Sequence, residues 1–186
     1  RILRVEFYQG DERNLVRRLS SWVVDIAVAL AFAWFCLNCF GTRVTVIGQS
    51  MQPLLNSDDV VLVNSLVYDF GKPDRMDVVV FEREDKKLYV KRVIGVPGDV
   101  VQIQDGTVYV NEQPIQEEGL GHVSLAGLAE KPIELGDGEY FLLGDNRDSS
   151  EDSRFANVGN VKEEQILGKV WLRLFPLIDM NLIPSP

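Results

Sequence analysis

Residues 88–111 read LYVKRVIGVPGDVVQIQDGTVYVN, and the fold turns on this stretch. Three runs rich in Val, Ile and Tyr, over 88–94, 99–104 and 107–111, have the length and composition of strands. Pro97-Gly98 marks a turn between the first two. Asp105-Gly106 separates the second from the third by two residues, a strong short-range hairpin signal. Working outward, similar runs recur at 42–47, 59–64, 77–82, 139–143 and 169–175, punctuated by Gly, Pro, Asp or Asn. Strands at this spacing predict a mostly β, antiparallel domain. Helical periodicity is weak in it, with single turns expected at 125–129 and 162–167. Residues 112–138 hold GLGHVSLAGLAE, with glycine scattered through them, and are expected as a small inserted flap outside the core.

The N-terminal part is of another kind. Residues 22–40 read WVVDIAVALAFAWFCLNCF, where Asp25 is the only charge and Asn38 the only other polar residue. A helix of that length spans about 29 Å, close to the ~30 Å hydrocarbon core of a bilayer. A cleavable leader would carry a shorter apolar run, of about 7–15 residues, and an Ala-x-Ala site that does not follow here. A buried core helix is the remaining alternative to a transmembrane anchor. Asp25 lies near one end, where a charge reaches the interface at modest cost, and Trp22 sits where an interfacial ring is expected.

Arg13, Arg17 and Arg18 precede the segment; Arg43 follows, and then no Lys or Arg until Lys72. The positive-inside rule therefore puts the N-terminus in the cytoplasm and the remainder outside. The expected division is a cytoplasmic segment over 1–21, a single transmembrane helix over 22–40 and an extracytoplasmic β domain over 42–186, with 112–138 as its flap. The chain opens on Arg1 rather than Met, which implies that a few residues precede it.

Of the 186 residues, 46% are hydrophobic and 25% charged, which excludes collagen-like and fully disordered classes. The net charge is −9, and residues 42–186 alone carry 14 basic and 24 acidic residues, a net −10. A nucleic-acid partner would need a basic footprint, so none is expected. Cys36 and Cys39 both lie in the apolar run. Their C-x-x-C spacing reads as two small apolar residues of a membrane helix rather than a redox pair. The β domain has no cysteine and must fold by its core alone.

Three segments carry candidate chemistry. In Gly48-Gln49-Ser50-Met51-Gln52-Pro53-Leu54 a serine on a Gly- and Pro-bounded turn could present its hydroxyl and its N–H together, as acyl attack requires. Taken alone, such a serine is also an ordinary turn residue. Lys91 interrupts an apolar strand and shares a face with Tyr89 and Val93 by the period of two. If that face points inward, desolvation lowers its pKa and makes it a base near neutral pH; if outward, it is a solvated edge lysine. The stretch from Gly144 to Arg154, GDNRDSSEDSR, is dense in hydrogen-bonding groups. It suits a bracing role around a site, a solvated loop, or an oxygen-ligand metal site. Arg147, Arg154 and the absence of an EF-hand spacing count against metal. His122, the only histidine, lies in the Gly-rich insertion and reads as a surface residue. A serine nucleophile here would take another base, and lysine is a documented variant.

An apolar anchor, then Ser-Met-x-Pro-Leu at 50–54, Lys-Arg-Val-Ile-Gly-x-Pro-Gly-Asp at 91–99 and Gly-Asp-Asn-Arg-x-x-Ser-x-Asp-Ser-Arg at 144–154, resembles in content and order the bacterial type I signal peptidases. The resemblance runs from the anchor to about residue 175. It implies a membrane-bound serine protease that cuts signal peptides from secreted preproteins after small residues by a Ser-Lys dyad, on the all-β fold of signal peptidases and repressor proteases. By motif match, Ser50 would be the nucleophile, Lys91 the general base, and Ser150 the serine that hydrogen-bonds and orients the lysine. Asp145, Arg92, Asp152 and Arg154 would brace the site, and Met51 and Pro53 would form the turn after the nucleophile. The implied partners are secreted preproteins and membrane lipid through the anchor, with no cofactor and no metal. Lys91 separates the chain from the endoplasmic-reticulum type, which carries histidine there. Gly48 stands where many Gram-negative members have a serine whose hydroxyl completes the oxyanion hole. With the short chain and single anchor, this points to a Gram-positive-like member at the plasma membrane. The rival from another class is a membrane-tethered β domain that binds peptides without cutting them.

Overall fold

The computed structural model of the protein describes residues 11–40, 42–115 and 122–184. Residues 1–10 of the expected cytoplasmic segment, the centre of the expected flap at 116–121 and the side chains of Cys36 and Cys39 lie outside what it describes. Two compact units divide at Asn38 and Cys39. The first holds most of one helix, α1, over Asp11–Phe40, longer than the apolar run because it also takes in the polar residues before it. Its stretch Arg17–Phe35 is long and apolar enough to cross a membrane. Consecutive large side chains are exposed around the helix: Trp22, Val23, Val24, Ile26, Val28 and Leu30 are each more than half accessible. A helix apolar on every side is stable inside a nonpolar medium, which fits a membrane anchor.

The second unit is antiparallel β. Its strands are β1 Thr42–Thr45, β2 Val60–Asn64, β3 Val78–Glu82, β4 Leu88–Gly95, β5 Val100–Gln104, β6 Thr107–Val110, β7 Gln113–Pro114, β8 Ile133–Glu134, β9 Glu139–Leu143, β10 Val161–Lys162, β11 Ile166–Phe175 and β12 Asn181–Leu182. A one-turn helix, α2 at Val67–Phe70, follows β2. Among the described residues, eight strands form one sheet in the order β1-β2-β11-β3-β4-β9-β10, with β12 also paired to β11. Four form a second sheet in the order β7-β6-β5-β8. Asp105-Gly106 makes the expected hairpin between β5 and β6, with φ of +48° and +75° as a type I′ turn requires. Asn111-Glu112 makes the next one with two further positive φ values, a turn that carries no glycine to announce it.

Strand β4 ties the domain together. From Val90 onward every residue of it is buried, so alternation gives way to a strand covered on both faces. Val90, Val93 and Ile94 belong to three different apolar clusters. The expected helical turns occur as short 3-10 segments at Gly127–Glu130 and Glu163–Gln165. Strand β11 starts at Ile166, three residues earlier than its expected start at 169, because Gly168 masks the apolar alternation there. The described residues of the expected flap, 112–115 and 122–138, are built in more tightly than a flap outside the core. β7 and β8 extend the second sheet, and Val123, Ala129 and Leu135 are buried in its apolar cluster.

The Pro-Gly-Asp turn after β4 has a structural reason. Asp99, 6% exposed, accepts hydrogen bonds from Val96 N–H at 2.8 Å, Arg75 Nη2 at 3.0 Å and Asn111 Nδ2 at 2.7 Å. One carboxylate thus fastens the end of β4 to the second sheet. Replacing Asp99 with Ala is expected to cost about 2–4 kcal/mol, read as a lower midpoint at unchanged slope in urea unfolding. An unchanged midpoint would mean that the backbone bonds of the turn hold it alone.

Candidate active site

Ser50 lies on the turn that leaves β1. Residues 47–49 are exposed, whereas Met51 and Leu55 are fully buried in the first apolar cluster and pin the turn to the sheet. Leu55 N–H donates to the Met51 carbonyl at 2.8 Å. From behind, Asp59 accepts from Asn56 N–H at 2.9 Å and pairs with Arg173, whose Nη1 also reaches the Leu54 carbonyl at 3.3 Å. Pro53 completes the turn and is exposed. Ser50 itself is left half-buried at the boundary between core and solvent.

Lys91 reaches this serine from β4. Its Nζ is 2.7 Å from Ser50 Oγ, within hydrogen-bond distance, and the residue is 3% exposed. The inward alternative for its face is therefore the observed one. Burial pushes the amine down from its ordinary 10.5 to about 8. The Asp152, Glu151 and Asp145 carboxylates pull the other way, and the Arg154 guanidinium supports the lowering.

The 144–154 segment surrounds the pair as a buried, internally bonded loop rather than a solvated one. Arg92 grips Asp145 with two bonds, Nε to Oδ1 at 2.8 Å and Nη2 to Oδ2 at 2.7 Å. Arg154 grips Asp152 in the same fashion, at 2.8 and 3.0 Å. It also donates to the carbonyls of Leu125 and Arg147. Asp152 in turn accepts from Gly144 N–H at 3.1 Å. These carboxylates are spent on guanidinium and backbone donors. Asn146 N–H donates to the Ser50 carbonyl at 3.0 Å, which docks the loop on the nucleophile turn.

Gly144 sits at the closest approach. A Cβ there would lie 2.5 Å from both the Ser50 carbonyl oxygen and Ser150 Cβ, and would also meet Ser150 Oγ. Ser150 is buried, but its hydroxyl has no hydrogen-bond partner among the described residues, so the expected bond to Lys91 is not formed. The remaining residues singled out in the motifs, Met51, Arg92, Asp145, Asp152 and Arg154, converge here. His122 does not: it is exposed over the β5–β6 hairpin, with Nε2 3.1 Å from the Asp105 carbonyl.

A cleft of about 460 Å³ runs up to the pair. One wall is β1 and the two residues after it; the other is Lys87 and the first half of β4, including Tyr89. Among the described residues β1 is an edge strand, paired with β2 alone. β4 pairs with β9 from Arg92 onward, so, among the described residues, positions 88–91 also present an unpaired edge on that side. Both edges suit an extended peptide added as a strand. The cleft walls, the Arg173–Asp59 brace and the close approach of Gly144 to Ser50 have no signal in the motifs. The period-two grouping of Tyr89 with Lys91 was the signal that could have found the wall.

The family model described as signal peptidase, peptidase S26, matches residues 19–175. Signal peptidase IB of Staphylococcus aureus (strain MRSA252) is 36% identical over 91% of this chain and 96% of its own length. Signal peptidase I of Bacillus caldolyticus is 37% identical over 83% of this chain and 88% of its own. The crystal structure of a signal peptidase I from Enterococcus faecalis V583 aligns at 30% identity and a TM-score of 0.45, covering 53% of this chain and 96% of that one. The family model and the two relatives from Staphylococcus aureus and Bacillus caldolyticus cover most of the chain, motifs included, and the protein therefore belongs to the S26 signal peptidase family, as a serine peptidase that removes signal peptides from secreted preproteins.

Proposed function

We propose that Ser50 is the nucleophile and Lys91 the general base of this peptidase. The observation that carries the reading is the 2.7 Å separation of a buried amine from a hydroxyl on a turn. The preprotein lies extended in the cleft, bonded to the edges of β1 and β4, with small side chains before the scissile bond. Neutral Lys91 takes the Ser50 proton as Oγ attacks the scissile carbonyl carbon. The oxyanion forms against the Ser50 N–H. The Lys91 ammonium then protonates the leaving amine, which departs as the mature protein. Lys91 next draws a proton from water as its oxygen attacks the acyl ester, and returns that proton to Ser50 Oγ as the ester bond breaks and the signal peptide leaves. Throughout, the Asp145–Arg92 and Asp152–Arg154 pairs hold the frame around Lys91.

The anchor α1 is read as crossing the plasma membrane once with the N-terminus in the cytoplasm, in contact with lipid. Support comes from Arg13, Arg17 and Arg18 before the apolar stretch, against Arg43 alone before Lys72 after it. Holding enzyme and substrate at one surface reduces the search between them from three dimensions to two. A tethered peptide binder that does not cut is disfavoured by the family match and by the close Ser50–Lys91 pair.

Ser50→Ala and Lys91→Ala are each expected to lower kcat/KM for preprotein cleavage by at least about 10³-fold. Near-normal activity in Lys91→Ala would overturn the dyad. Because Lys91 acts neutral, kcat/KM should rise tenfold per pH unit below about 8 and level off above it. A rate flat down to pH 5 contradicts a lysine base. Gly144→Ala should displace Ser50 and Ser150 and reduce kcat/KM by about 10²-fold in a chain that still folds, as seen by circular dichroism.

A further inference from the structure

Arg83 follows β3 at the start of the hairpin into β4, and its side chain is 19% exposed. Its guanidinium meets three residues, one on β4 and two on the connection between β9 and β10. The Cζ atom lies 5.0 Å from the centroid of the Tyr89 ring. Nη2 donates to the Asn157 carbonyl at 3.0 Å. Nη1 is 3.5 Å from Glu151 Oε2. The other oxygen of Glu151, Oε1, accepts from Asn157 Nδ2. Both oxygens of Glu151 are therefore held, although its side chain is 51% exposed. Tyr89 lines the substrate cleft, and Glu151 stands between Ser150 and Asp152 in the loop around Lys91. The planar fork of arginine can stack on a ring and donate at its edge at once, which an ammonium cannot do.

We propose that Arg83 is a positioning residue of the peptidase reaction: by clamping Glu151 and bracing Tyr89, it fixes the 144–154 loop and the cleft wall relative to Lys91 and balances the Glu151 charge. The proposal rests on the reading of Lys91 as the base. The charged groups that act on Lys91 are Asp152, Glu151, Asp145 and Arg154. Asp145 and Asp152 carry buried guanidinium partners from within the motifs. Glu151 differs, because its counter-ion comes from the β3–β4 hairpin and the pair is open to solvent. Without Arg83, Glu151 is uncompensated and favours the ammonium form of Lys91. Without Glu151, the neutral amine gains.

The test is the pH profile of kcat/KM for the full chain in detergent micelles, with a signal-peptide substrate, in the wild type, Arg83→Ala, Arg83→Lys, Glu151→Gln and the Arg83→Ala/Glu151→Gln double variant. Arg83→Ala should move the acid limb to higher pH by about 0.3–0.5 and raise KM about 3–10-fold, while the plateau kcat stays within about twofold. Glu151→Gln should move the limb to lower pH. Arg83→Lys should restore the limb but not the full KM, since it keeps the charge and loses the planar stacking. In the Glu151→Gln background, Arg83→Ala should no longer shift the limb. An equal shift in that background would mean that Arg83 acts by its own charge and would overturn the proposal. So would a loss of kcat at every pH with the limb unmoved, which marks a merely structural role. A wild-type profile without an acid limb removes the lysine base itself, and this proposal with it; a wild-type limb that no variant moves removes this proposal alone.

Discussion

The structure is organised around an amine taken out of water. An exposed lysine of ordinary pKa is neutral about once in 3,000 molecules at pH 7, too rarely to serve as a base. Lowered to about 8, the Lys91 amine is neutral in about one molecule in ten at the same pH. That gain comes from burial, which requires β4 to be covered on both faces at the point where Lys91 meets Ser50. The three apolar clusters that share β4 supply the cover. The fold and the proposed chemistry thus make the same demand on one strand.

Burial prevails although three carboxylates act on the amine in the opposite direction. Two of them, Asp145 and Asp152, are nearly inaccessible and each is held by a two-pronged guanidinium. Buried ion pairs contribute little net stability, since desolvation offsets most of their attraction. Their effect here is placement and cancellation of charge. Arg154 ties the Leu125 carbonyl to Arg147, Ser150 and Asp152 of its own loop, and Asn146 N–H carries that loop onto the Ser50 carbonyl. The Asp and Arg residues of the motifs are accordingly one device: they shape the loop while keeping its charge from re-ionising the lysine.

Much of this was legible in the residues. The strands were visible because β-branched runs were separated by strong turn signals, as at Asp105-Gly106. The two-residue strands β7, β8, β10 and β12 were not, since a pairing of two residues leaves no period to read. Nor was the Asn111-Glu112 turn, which adopts positive φ without glycine. The buried Val123, Ala129 and Leu135 were hidden among glycines that looked like a loose insertion. At the site, motif order singled out Ser50 and Lys91 as candidates, but only packing could decide whether Lys91 faced in or out. A long-range approach such as that of Gly144 to Ser50, 94 positions apart, has no local signal at all.

Gly48 shows how backbone geometry and chemistry constrain each other on the nucleophile turn. In family members with serine at this position, a hydroxyl adds a second donor to the oxyanion hole. Here space is no obstacle, because a Cβ at Gly48 would meet nothing within 4 Å. The obstacle is the dihedral: φ is +88°, a region that costs an L-residue about 1–2 kcal/mol. Relieving that strain means rotating the chain between Val46 and Met51. Both ends are fixed, Val46 by its bonds to Asp58 and Asp59 and Met51 by complete burial. The turn that presents Ser50 to Lys91 therefore holds position 48 in a conformation suited to glycine. In the proposed mechanism the oxyanion then relies on the Ser50 N–H, whose direction the same turn sets.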